Sequence, residues 1–160
     1  MRDPAARVIV MLMLALLTAG CGSLPSLWTT VDPLGGGQLG DGAWTAVAYV
    51  SGSEGACVEI RYSRGEPSRI CGGDEGRLGV WVSDAPSGQG VVVAAQVTDG
   101  RATNATLVLV DGRRLPVPVL AASPSTGLRV AIIGVEAGDV PDLFQLLDEA
   151  GATVADVPLR

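Results

Sequence analysis

The residue types able to do chemistry gather between positions 57 and 76. Cys57 and Cys71 bracket Arg61, Arg64 and Arg69, and Asp74 and Glu75 follow, flanked by Gly72, Gly73 and Gly76. Three chemistries are open to this set. The thiols can oxidise to a disulfide closing a loop of about fifteen residues, worth roughly 3 kcal/mol in the chain-entropy model. The arginines can grip an anion bidentately. The carboxylates, with backbone carbonyls, can ligate Ca²⁺. Each has a plainer counterpart. A two-thiolate metal site or free thiols are the alternatives to the disulfide, and without histidine a zinc ion would need carboxylates to complete its shell. Arginines pair with nearby acids such as Glu59 or Glu66, and the Asp74-Glu75 spacing matches no calcium loop. We expect the disulfide. Arg61, Arg64, Arg69, Asp74 and Glu75 are kept as ligand-contact candidates, with no metal, cofactor or catalytic residue assigned.

Beyond that segment the catalytic residue types are scarce. The chain has no histidine, and all eleven basic residues are arginines. Ser-His-Asp, Cys-His and Ser-Lys arrangements are therefore excluded, together with the commonest general base. Carboxylates alone remain, and a hydrolase built on them would need two acids facing each other across a cleft. The glycine cluster Gly35–Gly37 is followed by no Gly-Lys-Ser/Thr and is no phosphate loop. The formal charge is −6. Residues 1–20 carry two arginines and Asp3, so the remainder stands at −7. Such a surface argues against nucleic acid and against a polybasic grip on anionic lipid.

The elements that must position these residues read as β throughout. From Ala43 onward, short runs rich in β-branched residues alternate with turn residues every eight to fifteen positions. Trp44–Ser51 and Cys57–Tyr62 are predicted strands, separated by Gly52-Ser53-Glu54-Gly55. The stretch Ser63–Gly76 is predicted to be a polar loop. Leu78–Val82 is a short strand, and Gly90–Val97 is nearly all apolar, as in a strand covered on both faces. Ala105, Leu107 and Leu109 alternate with polar or smaller neighbours and run through Asp111-Gly112 into Leu115, Val117 and Val119. That pattern predicts a hairpin with a type I′ turn. Pro116 and Pro118 remove backbone donors and place the returning strand at an edge or next to a bulge. Leu128, Val130 and Ile132 form a further strand. Residues 140–151 fit either a helix or the first half of a second hairpin, and the all-β surroundings favour the hairpin. Trp44, Trp81 and Tyr62 are expected in the core before any binding groove. Asn104-Ala105-Thr106 reads as strand sequence.

The N-terminus is a separate unit. Arg2 and Arg7 precede an uncharged run from Val8 to Leu17, the pattern of an export signal too short to span a bilayer. Leu17-Thr18-Ala19-Gly20-Cys21 resembles the lipobox of bacterial lipoproteins, although Thr18 stands where leucine is commonest. The resemblance implies cleavage before Cys21 and acylation of that cysteine with diacylglyceryl and palmitate-type chains. Two or more acyl chains hold a protein stably on a membrane, whereas one does not. An exported domain meets oxidising conditions, in keeping with a Cys57–Cys71 pair. Gly22–Asp41, with Pro25, Pro33 and Gly35–Gly37, reads as a tether, and Trp28 within it either meets the lipid interface or docks on the domain.

Val97–Val119, around Leu109-Val110-Asp111-Gly112-Arg113, is similar to a β-rich module of actinobacterial exported proteins with no assigned activity. Leu146–Leu159 is similar to that module's second hairpin. This resemblance implies an all-β fold and carries no catalytic residues. The expected organisation is a signal peptide (1–20), a lipidated N-terminus and tether (21–42), and one antiparallel β-sandwich of immunoglobulin-like architecture with about seven to nine strands (43–160). The expected role is a non-enzymatic binding module on the outer face of the cytoplasmic membrane. Its partners would be the membrane, through the anchor, and an envelope protein or polymer. The alternative is a small-ligand or cation receptor using the 57–76 loop.

Overall fold

The computed structural model describes residues 30–52, 54–72 and 79–159. The signal segment, Cys21 and Trp28 lie outside the described residues, as do Asp74 and Glu75. The described chain is all-β and antiparallel. Its strands are β1 (Val31–Leu39), β2 (Gly42–Ser51), β3 (Gly55–Tyr62), β4 (Ser68–Cys71), β5 (Gly79–Asp84), β6 (Gly90–Gln96), β7 (Asn104–Leu109), β8 (Arg114–Pro118), β9 (Val130–Glu136), β10 (Pro141–Leu147) and β11 (Thr153–Pro158). They form three sheets, ordered β1-β2-β3-β4, β5-β6-β9 and β11-β10-β7-β8.

The middle sheet explains why the other two hold together. Residues of β6 alternate between faces, and Val92, Val93, Ala94 and Ala95 are all fully buried. Val92 and Ala94 join Trp44, Ala46, Val58 and Ile60 of the first sheet in one apolar cluster. Val93 and Ala95 join Leu107, Leu109, Phe144 and Leu146 of the third in another. β9 divides in the same way, Val130 to the first cluster and Ala131 and Val135 to the second. The nearly all-apolar run at 90–97 is thus a strand with a core on each side, as its sequence predicts. The sandwich has three layers and two cores.

Two strands exceed the nine expected. β1 lies inside the 21–42 stretch read as a tether, pairing with β2 from Val31↔Tyr49 to Leu39↔Gly42. Glycines give no side-chain period, so the pattern is silent there, yet Trp44 leaves no room for a side chain at two of them. A Cβ on Gly37 would stand 3.1 Å from Trp44 Nε1, and one on Gly36 2.5 Å from the Trp44 carbonyl oxygen. Asp32 fixes the start of β1, since its Oδ2 accepts hydrogen bonds from the Ser123 hydroxyl, from Ser125 N at 2.8 Å and from Ser125 Oγ at 2.6 Å. β4 lies inside the 63–76 stretch read as a loop, pairing with β3 through Cys57↔Cys71 and Glu59↔Arg69.

The β7–β8 hairpin forms where expected, but with a different turn. Gly112 N donates to Leu109 O at 2.9 Å and Leu109 N to Arg113 O at 2.9 Å, giving a three-residue loop with Gly112 at φ 86°. This is the type I turn with a left-handed third residue, not type I′. Residues 141–158 form the second hairpin, and its turn repeats that geometry at Asp148–Ala152, with Gly151 at φ 82°. β8, carrying Pro116 and Pro118, is an edge strand.

Candidate functional site

Cys57 and Cys71 form the expected disulfide, S–S 2.05 Å, between directly opposed positions of β3 and β4. Alternation along β3 sends Val58 and Ile60 into the core and Glu59 and Arg61 to the opposite face, which Cys57 shares although it is itself fully buried. Arg69 and Cys71 stand across from Glu59 and Cys57 on β4. Two of the three candidate arginines therefore sit on the outer face of a sheet, not in a loop.

Each has an acid beside it. Arg61 Nε donates to Glu59 Oε1 at 2.5 Å, and Arg69 meets Glu54 at 3.5 Å. The Tyr49 hydroxyl donates to Glu59 Oε2 at 3.3 Å. The Arg69 guanidinium is held above its usual pKa, first by the Tyr49 hydroxyl and then by the charge of Glu54. Tyr49 and Glu54 are members of this surface that the sequence reading missed. The cross-strand register could have found Tyr49, which is paired with Cys57. Arg64 does not join them. It lies against Asp41 at 3.7 Å, at the rim of a cavity of about 20 Å³ walled by Leu39, Trp44, Tyr62 and Pro86.

Glu54 and the sulfurs of Cys57 and Cys71 place their ligand atoms within 4.8 Å of one another. The sulfurs are bonded to each other, which takes both thiolates out of any metal shell.

The aromatic residues pack as expected. Trp44 is buried, and Trp81 and Tyr62 lie against the same cluster. Tyr62 ties the first sheet to the middle one, its hydroxyl donating to Ser83 O at 3.1 Å and lying 2.6 Å from Ser83 Oγ. Burial raises the Tyr62 pKa, with the Ser83 hydrogen bond acting against it.

The outer face of β2-β3-β4 offers a rigid, disulfide-locked array of alternating charge with one phenol. The arginines already carry anionic partners, so a further anion would have to compete with Glu54 and Glu59. No protein-family model, no curated protein and no solved structure matches the chain.

Proposed function

We propose that the chain is an envelope lipoprotein, held by a lipid on Cys21 to the outer face of the cytoplasmic membrane, whose β domain works as a non-enzymatic interaction module. The observation that carries the binding half is the outer face around Tyr49, Glu59, Arg61 and Arg69, with its charges compensated in place. Compensated, alternating charges suit a protein or polymer surface of matching pattern, where polar groups are exchanged pair for pair, better than a lone small anion. The disulfide supports the exported location, since such bonds persist in oxidising compartments.

The test is site-specific photo-crosslinking in intact cells from position 45, on β2 beside Arg61, with a probe at Asp156 on β11 as the control. The expected result is one dominant envelope adduct from position 45, lost on Glu59→Arg and absent from position 156. Equal adducts from both positions, or an adduct indifferent to Glu59→Arg, would overturn the reading.

A further inference from the structure

β1 and β9 run close together without sharing a ladder. β1 pairs with β2, whereas β9 pairs with β6 and makes one bridge, Ala131 to Val119. Between them lies a groove of about 380 Å³, walled by Leu34, Leu120 and Ile132 and by the bare backbone of Gly35–Gly37 and Gly134. No ionisable side chain lines it among the described residues, although the chain carries −6. Its inner wall is Trp44, only 6% exposed.

Two indole N–H groups, of Trp44 and Trp81, are buried without a hydrogen-bond partner, and Trp44 is the one that borders this groove. The Trp44 Nε1 packs against Gly37 and Gly134, both of which line the groove, so that a Cβ on Gly134 would stand 2.8 Å from Nε1 and one on Gly37 3.1 Å. Buried donors in native proteins nearly always have partners, and an exception calls for a reason. The surroundings supply one. The sequence keeps this donor flanked by residues without side chains, beside an aliphatic groove open to the surface.

We propose that the groove binds an uncharged acyl compound, with its apolar chain along Leu34, Leu120 and Ile132 and its ester or amide carbonyl accepting the Trp44 Nε1–H. A carbonyl is a neutral acceptor, and a groove without a cation offers nothing to balance a carboxylate or phosphate. Because Nε1 is covered, binding requires Gly35–Gly37 to lift from their pairing with Ala46, Thr45 and Trp44 of β2. This stretch of β1 follows a bulge between Pro33 and Gly35 and is exposed, and its ends are fixed by Asp32 on one side and buried Leu39 on the other. The proposal is independent of the anchor and of the Tyr49–Arg69 face.

The chain has three tryptophans, Trp28, Trp44 and Trp81, so its ¹⁵N-indole spectrum has three N–H signals, assigned with Trp44→Phe. The experiment titrates the exported chain carrying Cys21→Ser, without detergent, with monolauroylglycerol, sodium laurate or dodecane below their aggregation limits. Monolauroylglycerol is expected to move the Trp44 signal downfield and saturably, binding about two- to tenfold tighter than laurate or dodecane, the worth of one hydrogen bond. Trp44→Phe should remove that advantage. Should Trp44→Phe fail to fold, Leu120→Ser at the rim is expected to weaken monolauroylglycerol binding severalfold. The proposal is overturned by a Trp44 signal that stays still, by laurate binding as tightly as the ester, or by Leu120→Ser binding as the parent does.

Discussion

Val92 and Val93 are neighbours on β6, both fully buried, and they belong to different cores. Val92 packs in the cluster of Trp44 and Ile60, and Val93 in that of Leu107 and Phe144. A single strand therefore couples the disulfide-bearing sheet to the sheet of the two C-terminal hairpins. The middle layer has no solvent face over this stretch.

If the middle sheet couples the two cores, damage to either must loosen the whole. Ile60→Ala should cost about 2–5 kcal/mol and Phe144→Ala about 3–5 kcal/mol. Both should lower one shared urea transition followed by tryptophan fluorescence and far-ultraviolet circular dichroism. Two separate transitions in either variant would contradict the coupling.

The close packing of Gly134 on Trp44 gives a sharper test. A Cβ at position 134 would meet Trp44 Nε1 at 2.8 Å and Cε2 at 3.3 Å, so Gly134→Ala must push the indole or β9 aside. Overpacking of this kind costs about 1–3 kcal/mol, and denaturant unfolding should report it. At exposed Gly100 a Cβ would meet nothing within 4 Å, and Gly100→Ala should leave stability nearly unchanged.

Removing the disulfide acts mainly on the unfolded chain. The Cys57→Ser, Cys71→Ser double variant is expected to lose about 2–4 kcal/mol. The β3–β4 ladder should open first, and amide exchange at Ile70 should rise more than at Leu107. Equal acceleration at both positions would argue against a local role.

Asp32 sets part of the acid limb. Its pKa is lowered first by the Ser123 hydroxyl, then by the Ser125 hydroxyl and the Ser125 backbone N–H. Asp99 is lowered to about 2, chiefly by the hydrogen bond from the Arg101 side chain. A depressed folded pKa means stability that is present above the unfolded carboxylate value of about 3.9 and lost as pH falls through the folded value. The stability gap between the parent and Asp32→Asn should therefore be full above about pH 5 and narrow toward pH 2. A gap constant with pH would show that Asp32 acts only as a neutral hydrogen-bond acceptor.

The sequence is legible wherever side chains alternate or fill a run. The nearly all-apolar stretch at 90–97 marks β6 as a strand covered twice, and Pro116 and Pro118 fit the β8 edge. β1 is hidden because Gly35–Gly37 carry no side chains to read, and their strand character comes from pairing with β2. β4 has only four residues, too few to show a period, and its pairing with β3 at Cys57↔Cys71 is visible only in the structure. The β7–β8 turn differs by one residue from the expected type I′ because an Asp-Gly pair fits either turn, and only the ladder register decides. At the candidate site, Arg61 and Arg69 come together because their strands pair. Arg64, close to both in sequence, ends beside Asp41 instead.

The anchored-module reading is tested most directly by the intact mass of the protein extracted from its native membrane, set against a Cys21→Ser version. The expected result is a chain beginning at Cys21 with a lipid increment that the variant lacks, gaining two hydrogens when Cys57–Cys71 is reduced. An unlipidated chain, or one that keeps residues 1–20, would contradict it.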